Sequence, residues 1–172
     1  MRFHLRVSTR FLASSDEVWS LKTDPDRLRE EFPPWVHLSV QDPSALAAAL
    51  QGDGLPTTVQ ARVGMVLPWP IEIRECVRGE RFTDYSPDNV LFDDWVHHHE
   101  VQQASDAVRY LDAVSFTPRW GPPHLVARLV ERLFIHRHNR AARHLPTDEK
   151  ATAVSMLREA LDVQSDGTEG FL

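Results

Sequence analysis

The chain has 172 residues, of which 42% are hydrophobic and 26% charged, and its formal net charge is -6. These values are typical of one folded globular domain and give no overall bias toward nucleic acid or an anionic membrane. No stretch approaches the roughly 20 apolar residues that a membrane-spanning helix needs. The single cysteine, Cys76, cannot form an internal disulfide. Because the N-terminus also lacks the apolar run of a secretion signal, we expect a cytoplasmic protein.

The first 34 residues predict one strand followed by two short helices. Apolar and polar side chains alternate from Arg2 to Leu12, which is the pattern of an antiparallel strand with one buried face. Ser14 or Ser15 can cap a first helix that ends near Asp24. A second helix is predicted from Asp26 to Phe32, because the prolines that follow disfavour helical geometry.

The middle of the chain predicts several strands and one short helix. The strands are expected at Trp35 to Val40, Thr57 to Leu67, Ile71 to Val77 and Arg81 to Tyr85. An Ala-rich segment from Ser44 to Leu50 predicts one or two helical turns. The Pro68-Trp69-Pro70 segment cannot occupy a central position in a sheet, so we expect a turn or a sheet edge there.

Two long strands, Phe92 to Gln103 and Ala107 to Thr117, predict a hairpin that turns at Ser105-Asp106. A two-residue turn at this point places His99 opposite Asp112. Directly opposed β-carbons lie about 5 Å apart, close enough for a hydrogen bond between the two side chains.

The same register places His97 opposite Val114, and His97 and His99 share one face of their strand with Trp95. Tyr110 and Phe116 extend this face on the second strand. We expect the aromatic-rich face to be the inner one, because it has more apolar area to bury.

A long amphipathic helix is predicted from His124 to Leu145. Its apolar stripe consists of Val126, Leu129, Val130, Leu133 and Phe134. Pro146 is expected to end the helix. Beyond it, residues 146–172 predict a C-terminal extension, in which 147–163 could form another helix and 165–172 a loose tail.

The element order and three local motifs resemble the START-like, or SRPBCC, superfamily. The motifs are Trp95-Val96-His97-His98-His99, Asp112-Ala113-Val114 and Phe134-Ile135-His136-Arg137-His138. The resemblance covers roughly residues 1 to 145. It implies an α+β fold of helix-grip type, in which a curved antiparallel β-sheet wraps around a long C-terminal α-helix and two short helices follow the first strand.

The resemblance also implies a function. We expect the protein to bind or transport a hydrophobic small molecule, such as a lipid, an isoprenoid or a polyketide, in a cavity between the sheet and the C-terminal helix. The expected ligand-binding residues are Met65, Trp95, His97, His99, Asp112, Val114, Phe116, Val130 and Phe134. His97, His99 and Asp112 would orient the ligand within a mostly apolar pocket. No cofactor and no nucleic-acid partner are expected, and a homodimer is left open.

Alternative roles exist for the same polar residues. A buried His99–Asp112 pair can simply fix the register of the hairpin, because buried polar groups usually have partners. In a cyclase or aromatase of this superfamily, the two residues would act as general acid and base. His97 and His99 could also hold zinc with a third ligand from His136, His138 or Asp112, but no spacing in the sequence requires this and no metal is predicted.

A third class of function is protein interaction through the long helix. Five arginines lie on it against one acid, Glu131; they are Arg128, Arg132, Arg137, Arg140 and Arg143. On an acidic protein this is a local basic surface that could meet RNA, an anionic lipid head group or an acidic partner. The simpler interpretation is a solvated outer helix face. The sequence contains no Gly-x-Ser-x-Gly elbow and no phosphate-binding loop, so nucleophilic catalysis is not predicted.

Overall fold

The computed structural model describes residues 1–34, 36–38, 42–50, 57–63, 67–87, 89–148 and 152–159. The strands in these ranges are β1 (Arg2–Phe11), β2 (Val36–Leu38), β3 (Thr57–Val63), β4 (Leu67–Val77), β5 (Arg81–Tyr85), β6 (Phe92–Gln103), β7 (Val108–Pro118) and β8 (Thr152–Glu159). The helices are α1 (Ser15–Thr23), α2 (Pro25–Glu31), α3 (Pro43–Leu50) and α4 (Pro123–Ala141). Within the described ranges, no helix is both long and apolar enough to cross a membrane.

The strands form one antiparallel sheet in the order β2-β3-β4-β5-β6-β7-β1-β8. Neighbours in the sheet are neighbours in the chain from β2 to β7, and β1 then pairs with β7 on one side and β8 on the other. Helix α4 packs on β1, β7 and β8, while α2 packs on α4. This is the predicted arrangement of an antiparallel sheet, two short helices after the first strand and one long helix held by the sheet.

Local sequence signals position the first two helices. Ser14 caps α1 by accepting a hydrogen bond from the Glu17 backbone N–H, and the Glu17 carboxylate accepts one from the Ser14 backbone N–H in return. Asp24 caps α2 in the same way, accepting from the backbone N–H of Asp26. Of the two predicted caps, Ser14 and Ser15, the structure selects Ser14, and the predicted break at Asp24 is confirmed.

The predicted register of the β6–β7 hairpin is also confirmed. His99 pairs with Asp112 and His97 pairs with Val114. The turn closes with a hydrogen bond of 2.9 Å from the Ala104 N–H to the Ala107 carbonyl oxygen. This register sends the aromatic-rich face inward, as expected from its larger apolar area.

Two apolar clusters fill the interior. One lies beside α1 and α3 and includes Phe11 and Trp19. The other lies under α4 and includes Phe3, Trp95 and Phe134. The polar side chains of the candidate site lie among residues of these two clusters, so both clusters help to keep water from them.

The prediction for the apolar stripe of α4 is partly wrong. The buried face of the helix consists of Ala127, Val130, Phe134, Arg137, His138 and Ala141. These positions recur at intervals of three and four residues, whereas Leu129 lies off that face and is 56% exposed. The helix also ends at Ala141 and not at Leu145, and three residues of turn follow it.

The prediction of a further helix at 147–163 is wrong. Thr152–Glu159 forms β8, which pairs with β1 from Arg2↔Glu159 to Ser8↔Thr152. The physical reason is the open edge of β1, whose unpaired backbone groups are satisfied by another strand and not by a helix. The predicted loose tail at 165–172 lies outside the described residues.

The two prolines of the Pro68-Trp69-Pro70 segment lie inside β4 and not in a turn. Pro68 and Pro70 pair with β3, and β5 begins to pair with β4 only at Glu72. This part of β4 therefore has one hydrogen-bonded neighbour, which is the edge position that proline tolerates. The predicted strand at 35–40 is described only as β2, since residues 35, 39 and 40 lie outside the described residues.

Candidate functional site

A cavity lies between the inner face of the sheet and helices α1 to α4. Its void, including the open mouth, is about 950 Å³. Most of the lining is apolar and comes from both the sheet and the helices. Examples are Val36, Leu46, Leu50, Ile71, Phe82 and Leu133. Five polar side chains also reach the cavity, namely Lys22, Asp84, His97, His99 and Arg137. The cavity is thus an apolar container with a small polar region.

The polar region is built by three adjacent strands. Alternation along β6 sends His97 and His99 inward, while β5 contributes Asp84 opposite His97 and β7 contributes Asp112 opposite His99. Asp84 Oδ2 lies 3.0 Å from His97 Nδ1 and 2.9 Å from His99 Nε2. On the other side, Asp112 Oδ1 lies 3.0 Å from His97 Nε2 and 3.1 Å from His99 Nδ1. Two carboxylates therefore enclose two imidazoles.

Tyr110 and His138 extend this cluster away from the cavity. The Tyr110 hydroxyl donates to Asp112 Oδ1 at 2.7 Å and lies 2.6 Å from His99 Nδ1. His138 Nε2 lies 3.0 Å from Asp112 Oδ2, and its Nδ1 lies 3.0 Å from the Thr9 hydroxyl. Asp112 is fully buried, and these neighbours satisfy its charge where water cannot.

The charges in the cluster follow from its geometry. Burial alone would lower the pKa of His97, but Asp84 and Asp112 outweigh burial and raise that pKa to about 9. Burial would raise the pKa of both carboxyls, yet His97 and its neighbours hold the pKa of Asp84 below 3.8 and that of Asp112 well below it. Burial lowers the pKa of His138. At neutral pH two buried carboxylates therefore face a protonated His97 and a neutral His138.

A second buried charge cluster lies on the helical side of the cavity. Lys22 Nζ of α1 lies 2.8 Å from Glu31 Oε1 of α2, and Arg137 Nε of α4 lies 3.7 Å from Glu31 Oε2. The Arg137 guanidinium also packs over the rings of Phe32 and Phe134. One acid and two bases thus join the three helices around the cavity.

The structure distributes the predicted site residues over three places. Trp95, His97, His99 and Phe134 line the cavity, and Asp112 lies directly behind the two histidines. The remaining described residues, Val114, Phe116 and Val130, pack in the apolar cluster under α4 and are not among the cavity-lining residues. They were expected to line the cavity, but the helix packs directly on this part of the sheet and closes it. Met65 lies outside the described residues.

The sequence does not single out Asp84, Lys22 or Glu31 as site residues. Asp84 could be recognised only from the register in which β5 pairs with β6. The loop between these strands does not determine that register. Lys22 and Glu31 lie on two short helices, whose packing angle no local pattern gives. Of the histidines proposed as a third metal ligand, His136 is exposed and His138 contacts Asp112, so neither joins His97 and His99.

Solved structures similar to this chain define the class of the fold. A START superfamily protein from Mycobacterium smegmatis matches with a TM-score of 0.62 at 11% identity, covering 83% of this chain and 97% of its own. A protein from Chromobacterium violaceum matches with a TM-score of 0.60 at 16% identity, covering 84% of this chain and 98% of its own. DynU16, a protein in the dynemicin biosynthetic locus, matches with a TM-score of 0.55 at 20% identity, covering 82% of this chain and 46% of its own. The chain has a START-like helix-grip fold, as predicted.

The family follows from the sequence itself. Residues 9–145 match the model of a domain of unknown function, DUF8410, and the chain belongs to that family. No curated protein sequence matches the chain.

Proposed function

We propose that the protein binds a hydrophobic small molecule, of lipid, isoprenoid or polyketide type, in the cavity between the sheet and the helices. The observation that carries the proposal is the cavity itself, which has a mainly apolar lining and one polar end. Ligand pockets combine apolar walls with a few polar groups that orient the ligand. His97, His99 and Asp84 are those groups in this cavity, and Asp112 holds the histidines in place.

A cyclase or aromatase is the second candidate function. It is favoured by the buried His–Asp cluster, because strongly shifted pKa values often mark catalytic sites. Its weakness is the crowding around the rings: both nitrogens of His97 and of His99 lie within 3.0 Å of a carboxylate or hydroxyl oxygen. A general base needs a free lone pair aimed at the substrate. Asp84 retains some exposure to the cavity, but its lowered pKa makes it a weak base. Binding therefore agrees better with this geometry than catalysis does.

The first test is native mass spectrometry of the purified protein, followed by denaturing extraction and identification of whatever is released. A stoichiometric apolar molecule is the expected result, and its chemical class would then direct assays for turnover. Protein stripped of bound molecules would be titrated with the apolar fluorophore N-phenyl-1-naphthylamine. Saturable binding with one site is expected.

Two tryptophan substitutions on one strand provide the matched comparison. Ile71→Trp adds bulk at the cavity wall, whereas Val77→Trp adds the same bulk at a position that is 38% exposed. We expect the first variant to lose most of its affinity for the fluorophore and the second to bind like the wild type. The proposal fails if the wild-type protein neither releases an apolar molecule nor binds the fluorophore saturably. It also fails if both variants bind equally well.

A further inference from the structure

Three potential metal-ligand atoms converge at the polar end of the cavity. They belong to Asp84, His97 and His99, each of which has a ligand atom within 4.8 Å of the other two. The closest approach is at Asp84 Oδ2, which lies 3.0 Å from His97 Nδ1 and 2.9 Å from His99 Nε2. All three residues are buried, yet all three line the cavity. The group is therefore shielded from bulk water and open to a bound molecule.

The hydrogen-bond chain behind His99 fixes the orientation of its ring. The Tyr110 hydroxyl has one proton, and it donates that proton to the Asp112 carboxylate. It can then only accept from His99, so Nδ1 of His99 carries the ring proton. His99 Nε2 is thereby turned toward Asp84 Oδ2, which lies 2.9 Å away.

The surroundings of the two histidines are those of metal ligands. A ligating histidine almost always donates its second ring N–H to a carboxylate or another acceptor, which fixes the orientation of the ring. For His99 this partner is Tyr110, whose hydroxyl donates in turn to Asp112. Asp112 Oδ1 also lies 3.0 Å from His97 Nε2 as a charged contact. The Phe82 ring stacks on His99 at 3.9 Å, and the Phe134 ring meets His97 edge-on at 4.9 Å. The rings are thus held with one nitrogen each toward Asp84.

We propose that Asp84, His97 and His99 bind a divalent transition-metal ion, with its remaining coordination positions open to the cavity. Two imidazoles and one carboxylate are a ligand set of open zinc sites and of iron(II) sites. Metal-to-ligand distances of about 2.0–2.1 Å separate tetrahedral donors by about 3.3 Å, so the two short contacts need to widen by only about 0.3–0.4 Å. Binding of the ion displaces the His97 proton, and the charges of Asp84 and Asp112 then balance those of the divalent ion.

The proposal goes beyond ligand binding and stands on different evidence. A role in hairpin register needs only His99 and Asp112, which are directly opposed, and leaves unexplained why Asp84 joins two histidines at the cavity surface. The sequence predicts no metal and offers His136, His138 or Asp112 as alternative third ligands beside His97 and His99. Asp84 replaces them, because β5 brings it beside β6. The metal would hold the polar end of a ligand whose apolar part fills the cavity.

The test uses chelator-treated protein and Co²⁺ or Zn²⁺ alone, with no organic ligand present. Visible absorption of Co²⁺ reports the coordination geometry, and competition with Zn²⁺ gives the affinity and stoichiometry. We expect one ion per chain in the wild-type protein. Asp84→Asn should weaken binding by more than about 100-fold, since loss of an outer partner alone costs about 10–100-fold. His98→Gln is the matched control, because His98 lies on the same strand but is exposed on the opposite face.

A second pair of variants keeps the test decisive if Asp84→Asn folds poorly. Asp84→Cys retains an anionic ligand and should add a thiolate-to-cobalt absorption band in the near ultraviolet. Asp112→Asn should bind the ion more weakly by about 10–100-fold without altering the stoichiometry. The proposal is overturned if folded wild-type protein binds neither ion at one per chain. It is also overturned if Asp84→Asn binds like His98→Gln, or if the Asp84→Cys variant binds Co²⁺ without that band. Because no organic ligand is present, failure here leaves the proposed function untouched.

Discussion

Asp112 has more polar neighbours than any other residue in the cluster. Its carboxylate accepts from Tyr110 and His138 and lies within 3.1 Å of His97 and His99. A fully buried carboxylate is tolerated only when such partners replace the lost water. This arrangement was predictable in part: once the turn at 105–106 is placed, strand arithmetic puts Asp112 opposite His99. The contact with His138 was not predictable, because it depends on where α4 crosses β7.

The substitution Asp112→Asn tests how much of the fold depends on this carboxylate. It keeps the shape of the side chain but leaves the protonated His97 with one carboxylate in place of two. Removing one partner of a buried charge pair typically costs about 3–5 kcal/mol of unfolding free energy, and we expect a loss in that range from urea denaturation of the metal-free protein. Asp93→Asn is the control, because Asp93 pairs with Arg119 at the surface and is 56% exposed. Such exposed pairs contribute about 0–1 kcal/mol. Equal losses in the two variants would contradict the central role of Asp112.

Strand β8 shows where an element-level prediction fails. The apolar residues after Pro146 fit a helical stripe, and local sequence offers no stronger signal for a strand. The strand forms because β1, at the start of the chain, has a second edge that is available for pairing. Pairing between segments so far apart in sequence is a tertiary effect, and tertiary context overrides local propensity. The β6–β7 hairpin was predictable for the opposite reason, since its partners are adjacent in the chain.

Two truncations measure what β8 contributes. A chain ending at Asp148 lacks β8, whereas a chain ending at Glu159 keeps it. The first truncation exposes the edge of β1, so we expect a lower urea midpoint and concentration-dependent association through the unpaired strand. Light scattering coupled to size-exclusion chromatography would detect the association. The chain that ends at Glu159 should match the full chain in urea midpoint and in oligomeric state. If both truncated chains remain monomeric and equally stable, β8 is dispensable.

The whole molecule depends on how the helices close over the sheet. The sheet, the hairpin register and the long helix follow from hydrophobic periodicity, which is a strong signal over long segments. The cavity does not follow from it, because its shape depends on the gap between four helices and one face of the sheet. Val114, Phe116 and Val130 were expected to line the cavity and instead fill the contact between α4 and the sheet. A shift of α4 by one helical turn would exchange such positions, and sequence periodicity does not determine that shift.

The buried Lys22–Glu31–Arg137 cluster fixes the relative placement of these helices. Each residue comes from a different helix, and all three are buried. In Glu31→Gln the lysine and the arginine lose their common counter-charge, so we expect the unfolding free energy to fall by about 3–5 kcal/mol. The double variant Lys22→Met, Glu31→Gln should lose less unfolding free energy than the two single variants lose in sum. The reason is that it no longer leaves the lysine unpaired.

Urea denaturation of the four proteins in this cycle gives the coupling energy directly. The control is Glu30→Gln, since Glu30 is a surface neighbour whose pair with Arg27 leaves both side chains nearly half exposed. This control substitution should lower the unfolding free energy by no more than about 1 kcal/mol. Additive effects of Lys22→Met and Glu31→Gln would show that the helices are held over the cavity by apolar packing alone. A coupling of about 0.5–3 kcal/mol would instead assign part of the closure to the ion pair. The polar end of the cavity and its helical wall would then be stabilised in the same way. In both, buried charges are stable only when the helices and the sheet are assembled around them.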